Sequence, residues 1–109
     1  MAYDLGLADR VRSVLSGTNG VSERRMFGGL AFMVDGNMCC GIVKTDLMLR
    51  MNPEQVVAAL RKKHTRAMDF TGRPMKSMLY VNAKGTDSDA DLERWVRQSL
   101  NFVRTLPPK

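Results

Sequence analysis

Residues 30–51 read LAFMVDGNMCCGIVKTDLMLRM, and their pattern decides the fold. Three apolar runs, 30–34, 38–44 and 47–51, are separated by two turn signals. Asp35-Gly36-Asn37 suits a tight hairpin, whose central residues must tolerate positive φ. Thr45-Asp46 reads as a second tight turn. Short apolar runs joined this closely predict an antiparallel meander.

Both alternating faces of these strands are apolar. Leu30, Phe32 and Val34 face one way, with Ala31 and Met33 on the other side. Met38, Cys40 and Ile42 oppose Cys39, Gly41 and Val43, and Leu47, Leu49 and Met51 oppose Met48 and Arg50. A half-solvated antiparallel sheet normally carries a polar second face. An apolar one has to be covered, either by the chain's own first helix or C-terminal segment or by another copy. A homodimer is the expectation.

Outward from the meander, residues 21–27 form a weaker strand, and Gly28-Gly29 breaks or bulges it. Leu5, Ala8, Val11 and Leu15 recur at helical spacing and predict a first helix over about 4–16, stopped by Gly17. Downstream, Asn52-Pro53-Glu54-Gln55 has the form of a capped helix start. Val56, Val57 and Leu60 are its expected buried stripe, and the helix runs out through 61–63. Residues 65–74 read as a loop, with Thr71-Gly72-Arg73-Pro74 a turn. Residues 76–82 alternate as a strand. Ser88 caps a last helix, whose face is Leu92, Trp95, Val96, Leu100 and Val103 and which reaches about residue 105 before Pro107-Pro108.

The order is α-β-β-β-β-α-β-α. It predicts an α+β fold, a central antiparallel sheet of about five strands with helices packed on it. With 109 residues the chain fits one domain over residues 1–109. No apolar run spans a bilayer, and the first ten residues lack a signal-peptide core. A cytoplasmic location is expected.

The net charge of +6 is unevenly placed. Residues 1–60 hold six basic and six acidic residues, and 85–109 hold four of each. Residues 61–84 hold Arg61, Lys62, Lys63, Arg66, Arg73, Lys76 and Lys84 against Asp69 alone, which accounts for the whole +6. Such asymmetry points to an anionic partner, with a solvated helix end as the plainer alternative. Arg24 and Arg25 precede a Gly-rich break and offer a second anion site, although adjacent strand residues point opposite ways.

Chemistry-bearing residues are otherwise sparse. Cys39 and Cys40 are the only cysteines. Neighbours on a regular strand cannot form an ordinary disulfide, so they read as small buried hydrophobes, with a redox switch as the alternative. His64 is the only histidine, lies among cations, and has no nearby acid to orient it. No CxxC, nucleophile elbow, phosphate loop or dinucleotide fingerprint is present, so no metal, cofactor or catalytic residue is expected.

The run Arg25-Met26-Phe27-Gly28-Gly29-Leu30-Ala31-Phe32, the hairpin Asp35-Gly36-Asn37-Met38, and the run from Met68 to Lys76 together resemble the N-terminal domain family of TfoX/Sxy-type competence regulators. The likeness spans nearly the whole chain, including the closing Trp95 helix. It implies a compact α+β domain and a role in transcription of DNA-uptake genes, exerted with another factor. In two-domain relatives a helical domain follows, whereas this chain stops at Lys109. The family supplies no catalytic residues. The run Arg61-Lys62-Lys63-His64-Thr65-Arg66 is more basic than the family's usual link.

Three functions follow. The first is a non-enzymatic regulatory or interaction domain acting through a protein partner. The second is nucleic-acid binding through residues 61–84, led by Arg61, Lys62, Lys63 and Arg66. The third is a small-anion binder or enzyme using Arg24, Arg25, Arg73 and Lys76, where Lys76 meets Arg25 only if their strands are neighbours.

Overall fold

The computed structural model describes residues 3–26, 28–69 and 74–109. Helix α1, Leu5–Val14, starts where the Asp4 side chain accepts a hydrogen bond from the Leu7 N–H, and Leu7, Ala8 and Val11 line its buried side. The strands β1 Val21–Met26, β2 Gly29–Val34, β3 Asn37–Val43 and β4 Asp46–Arg50 form the expected meander. Asp35 at φ 51° and Gly36 at φ 83° make its first turn, the backbone that an Asp-Gly pair adopts readily. The second turn is Lys44-Thr45, one residue earlier than expected.

Helix α2, Pro53–Ala59, opens on the capping box expected of Asn52 and Gln55. The Gln55 N–H donates to Asn52 Oδ1 at 2.8 Å, and Asn52 N–H donates back to Gln55 Oε1 at 3.3 Å. The helix is shorter than expected, ending before residues 61–63. Its buried pair is Val56 and Ala59, whereas Val57 is 58% exposed and Leu60 37%. The rotation follows from its seat on β6 (Pro74–Val81), where 56 and 59 face the sheet and 57 and 60 turn away.

Residues expected to be a loop contain a strand. β5, Thr65–Asp69, pairs antiparallel with β6, with Thr65 opposite Val81, Arg66 opposite Tyr80 and Ala67 opposite Leu79. Its own polar and small residues carry no strand pattern, and the ladder to β6 supplies what propensity does not. The sheet therefore has six strands in the order β1-β2-β3-β4-β6-β5, with every neighbour antiparallel. The turn expected at 71–74 lies largely outside the described residues. A short 3-10 helix, Ala83–Thr86, leads into α3, Asp89–Val103, which is capped by Ser88 as expected.

The α+β class and the succession helix, strands, helix, strands, helix are those the sequence predicts, with β5 the one added strand. All three helices pack on one sheet face. Leu30, Ile42, Leu47 and Val81 lie in register across β2, β3, β4 and β6, beside a second row of Phe32, Cys40, Leu49 and Leu79. Leu7 and Val11 of α1 with Leu15 at its C-cap, Val56 of α2, and Leu92, Val96, Leu100 and Val103 of α3 cover these rows. On the other face Met48, Met68 and Met78 form a smaller cluster with Met38, Val43 and Tyr80, built among the described residues from strands alone. Met33, Met48, Met68 and Met78 are each less than a tenth exposed in the single chain. These four side chains are thus buried within the single chain.

The cysteines depart from simple alternation. Phe32 pairs with Cys40 and Met33 with Met38, so Cys39 is an extra residue in β3. This bulge turns both thiols into the main core, where alternation predicts opposite faces.

The end of the chain closes the hairpin. Lys109 N–H donates to Asp35 O at 2.8 Å, and the buried Asn37 amide donates to Pro107 O at 2.9 Å. Truncating Leu49, fully buried between Cys40 and Leu79, is expected to cost about 2–5 kcal/mol as Leu49→Ala, read by chemical denaturation.

A bidentate pair ties α1 to β1. Arg12 Nε and Nη2 donate to the two Glu23 carboxylate oxygens at 2.6 and 2.8 Å. The hydrogen bond from Arg12 holds the Glu23 carboxyl below its ordinary 4.5. A depressed carboxyl contributes stability that is present above its unfolded pKa and lost as pH falls through the folded one. Glu23→Gln is therefore expected to lower the thermal midpoint at pH 7, with the difference from wild type vanishing under acid conditions.

Candidate functional site

The basic stretch does not fold into one patch. Its first part becomes a cleft where the turn after α2, the 3-10 helix and α3 meet. His64 takes φ 69°, and its carbonyl accepts the Asn82 N–H at 2.8 Å, which locks the turn against the end of β6. Asn82 Oδ1 accepts from the N–H groups of Lys84 at 3.1 Å and Gly85 at 3.3 Å. Gly85 permits the contact, since a Cβ there would fall 2.4 Å from Val81 Cγ1 and 3.0 Å from His64 Cβ. Lys84 thereby lines the same cleft as Lys62 and Lys63.

Helix α3 supplies the far wall. Asp91, Arg94, Trp95 and Gln98, spaced i, i+3, i+4 and i+7, line the same cleft of about 310 Å³. Lys62 Nζ sits 5.3 Å from the Trp95 ring centroid, a cation–π contact on an indole only 8% exposed. Arg94 is ion-paired with Asp91. Among the described residues Lys62, Lys63 and Lys84 take part in no ion pair. Four cations and one carboxylate thus line the cleft.

The other basic residues go elsewhere. Arg61 is exposed on the same turn but does not line the cleft. Arg66 donates to Asp46 Oδ2 at 2.7 Å and lies 4.3 Å over the Tyr80 ring, on the face of the methionine cluster. That hydrogen bond raises the Arg66 pKa, and burial pushes the Tyr80 phenol above its usual range. Arg66 is therefore satisfied where it stands. Lys76 is exposed on β6, and Arg73 lies outside the described residues. Arg24 and Arg25 are on β1, separated from β6 by β2, β3 and β4, roughly 19 Å at ordinary strand spacing. The condition for Arg25 and Lys76 to converge is not met. Opposite Ala31 and Leu30 respectively, Arg24 and Arg25 also point to different faces.

The sequence reading singled out Lys62 and Lys63 as anion ligands but not Lys84, Arg94, Trp95 or Gln98. Lys84 was visible only as part of the charge sum. The α3 residues follow the edge of its apolar stripe, a helical spacing that marks a flank but not what faces it. Among the described residues no group of three or more His, Cys, Asp or Glu side chains could hold a metal ion. No described helix is long and apolar enough to cross a membrane.

The family comparison decides the class of this domain. The family described as the TfoX N-terminal domain matches residues 13–103, most of the chain. The chain belongs to the TfoX N-terminal domain family. That membership fits a domain of the competence-regulator type. No curated protein and no solved structure matches the chain. The matched span starts inside α1 and ends at the last residue of α3, so every wall of the cleft belongs to the family domain.

Both cysteines are free and fully buried. The Cys40 thiol is held well above its ordinary range, first by its hydrogen bond with Cys39 and then by burial. Thiolate is the reactive form, so this environment opposes redox chemistry at Cys40, and Cys39 is closed off by burial. In native protein at pH 8 both thiols are expected to resist a disulfide reagent for as long as the fold persists. In guanidinium both should react at once.

Proposed function

We propose that this TfoX N-terminal family domain is a non-enzymatic regulator that works by docking onto a protein partner, and that α2 is the docking element. One observation carries the reading. Val57 on the outer side of α2 and Leu60 at its C-cap, one turn apart, are two of the three exposed large apolar side chains among the described residues. Arg61, Lys62 and Lys63 follow directly, so an apolar pair is bordered by cations.

A surface of this kind complements a protein segment that carries apolar anchors and acidic residues. Apolar anchors supply the affinity, and charge supplies orientation and encounter rate. The family supports a role in transcription of the competence-regulator type, and a partner protein would deliver the domain to its target genes.

The test compares wild type with Val57→Asp/Leu60→Asp in cells. Overproduced wild-type domain is expected to change the level of a defined set of transcripts. The double variant should leave them unchanged while still unfolding in a single cooperative thermal transition, because both side chains lie outside the core. Transcripts that respond equally to both proteins would sink the docking role of α2, and transcripts that respond to neither would sink the regulatory reading.

A further inference from the structure

We infer that the cleft between the α2 exit turn, the 3-10 helix and α3 is a binding site for phosphate groups, held by Lys62, Lys63 and Lys84 with Arg94 at its rim. The inference stands on residues other than the Val57–Leu60 pair.

Like charges brought together repel, and folds normally disperse them or pair them with carboxylates. Elsewhere this chain does so. Arg10 pairs with Asp89, Arg12 with Asp9 and Glu23, Arg66 with Asp46, and Arg97 with Glu93. At the cleft three lysines from two separate segments converge, and the only carboxylate lining it, Asp91, is already engaged by Arg94. All three lysines are exposed, and among the described residues no carboxylate pairs with them. A local conflict of this kind is expected where a ligand resolves it.

The turn geometry shows that the convergence is built in. His64 holds a left-handed backbone, its carbonyl is tied to Asn82, and only a residue without a Cβ fits at position 85. Each feature brings the 3-10 helix and Lys84 toward Lys62 and Lys63. Lys62 is further oriented by the indole of Trp95.

The chemistry selects phosphate. Lysine ammonium groups are compact point charges with three donors each, suited to the several oxygens of a phosphate. A planar carboxylate is better met by an arginine fork, and the one arginine at the rim is occupied by Asp91. The face of Trp95 is occupied by Lys62, which leaves no indole surface for stacking a base. The site therefore reads charge and not base identity. A volume near 310 Å³ takes one or two phosphate groups, from either a polyphosphate or a nucleic-acid backbone.

The experiment uses the full chain with two probes, inorganic tripolyphosphate and a short DNA duplex, titrated at several salt concentrations. Binding of tripolyphosphate alone supports the site and assigns it to a small polyphosphate. Binding of duplex, with log affinity falling by about 0.9 per contacted phosphate per log unit of salt, supports the site and assigns it to the backbone. Lys63→Gln/Lys84→Gln should weaken either probe about tenfold or more, while Lys76→Gln on β6 should leave it unchanged. The double variant should also keep or raise the thermal midpoint, because it removes repulsion.

No binding of either probe up to about 1 mM overturns the inference. So does equal binding by Lys63→Gln/Lys84→Gln and wild type. Displacement by polyglutamate at equal charge would overturn the choice of phosphate. A thermal midpoint lowered by several degrees in the double variant would show that the lysines hold the fold and would overturn the argument from cost.

Discussion

Burial of two side-chain rows, Leu30–Ile42–Leu47–Val81 and Phe32–Cys40–Leu49–Leu79, is the interaction on which the rest of the molecule depends. Each row crosses four strands, so no strand can slip by one residue without moving its core side chains to the wrong face. The rows also set where helices can sit. Helix α3 lays Leu92, Val96, Leu100 and Val103 over β3 and β4, α1 packs beside it, and α2 reaches β6 through Val56 and Ala59. With its inner side fixed, α2 has no choice but to turn Val57 and Leu60 outward. The proposed docking surface is a by-product of how the core is filled.

The opposite face solves a different problem with different material. Methionine fills irregular space and tolerates imperfect neighbours. Met48, Met68 and Met78 cluster from three adjacent strands, and Arg66 closes one side by lying over Tyr80 while held by Asp46. This uses up a cation that the linear sequence groups with Lys62 and Lys63. Charge along a chain and charge on a surface are therefore separate quantities here. The excess concentrated within residues 61–84 is divided by β5, whose two faces send neighbours in different directions.

The cleft links architecture to function. It exists because Gly85 lets the 3-10 helix approach the His64 turn, and because α3 crosses below with Trp95 already committed to the core. Four positive side chains then line one cleft that holds a single carboxylate. Lys62, Lys63 and Lys84 take part in no ion pair among the described residues, and it is these lysines that carry the message about a ligand. The apolar pair on α2 and the cationic cleft begin within three residues of one another, so a partner protein and a phosphate-bearing molecule would meet the domain side by side.

Most of the architecture was legible from residues alone. The meander at 30–51, the capping residues Asn52 and Ser88, the Asp35-Gly36 turn and the stripe of the last helix are local patterns, and each is set by period, turn chemistry or an N-terminal hydrogen bond. What local pattern could not decide lay wherever a distant segment supplied the deciding contact. β5 is a strand because β6 pairs with it, Cys39 turns inward because β2 lacks a residue opposite it, and Val57 faces out because β6 takes Val56. Lys84 and Arg94 join Lys62 and Lys63 only after the chain has crossed the sheet and returned. Sequence by itself determined the elements, since those energies act between near neighbours; the site was decided by tertiary structure, since its energies act between segments that meet only when the core closes.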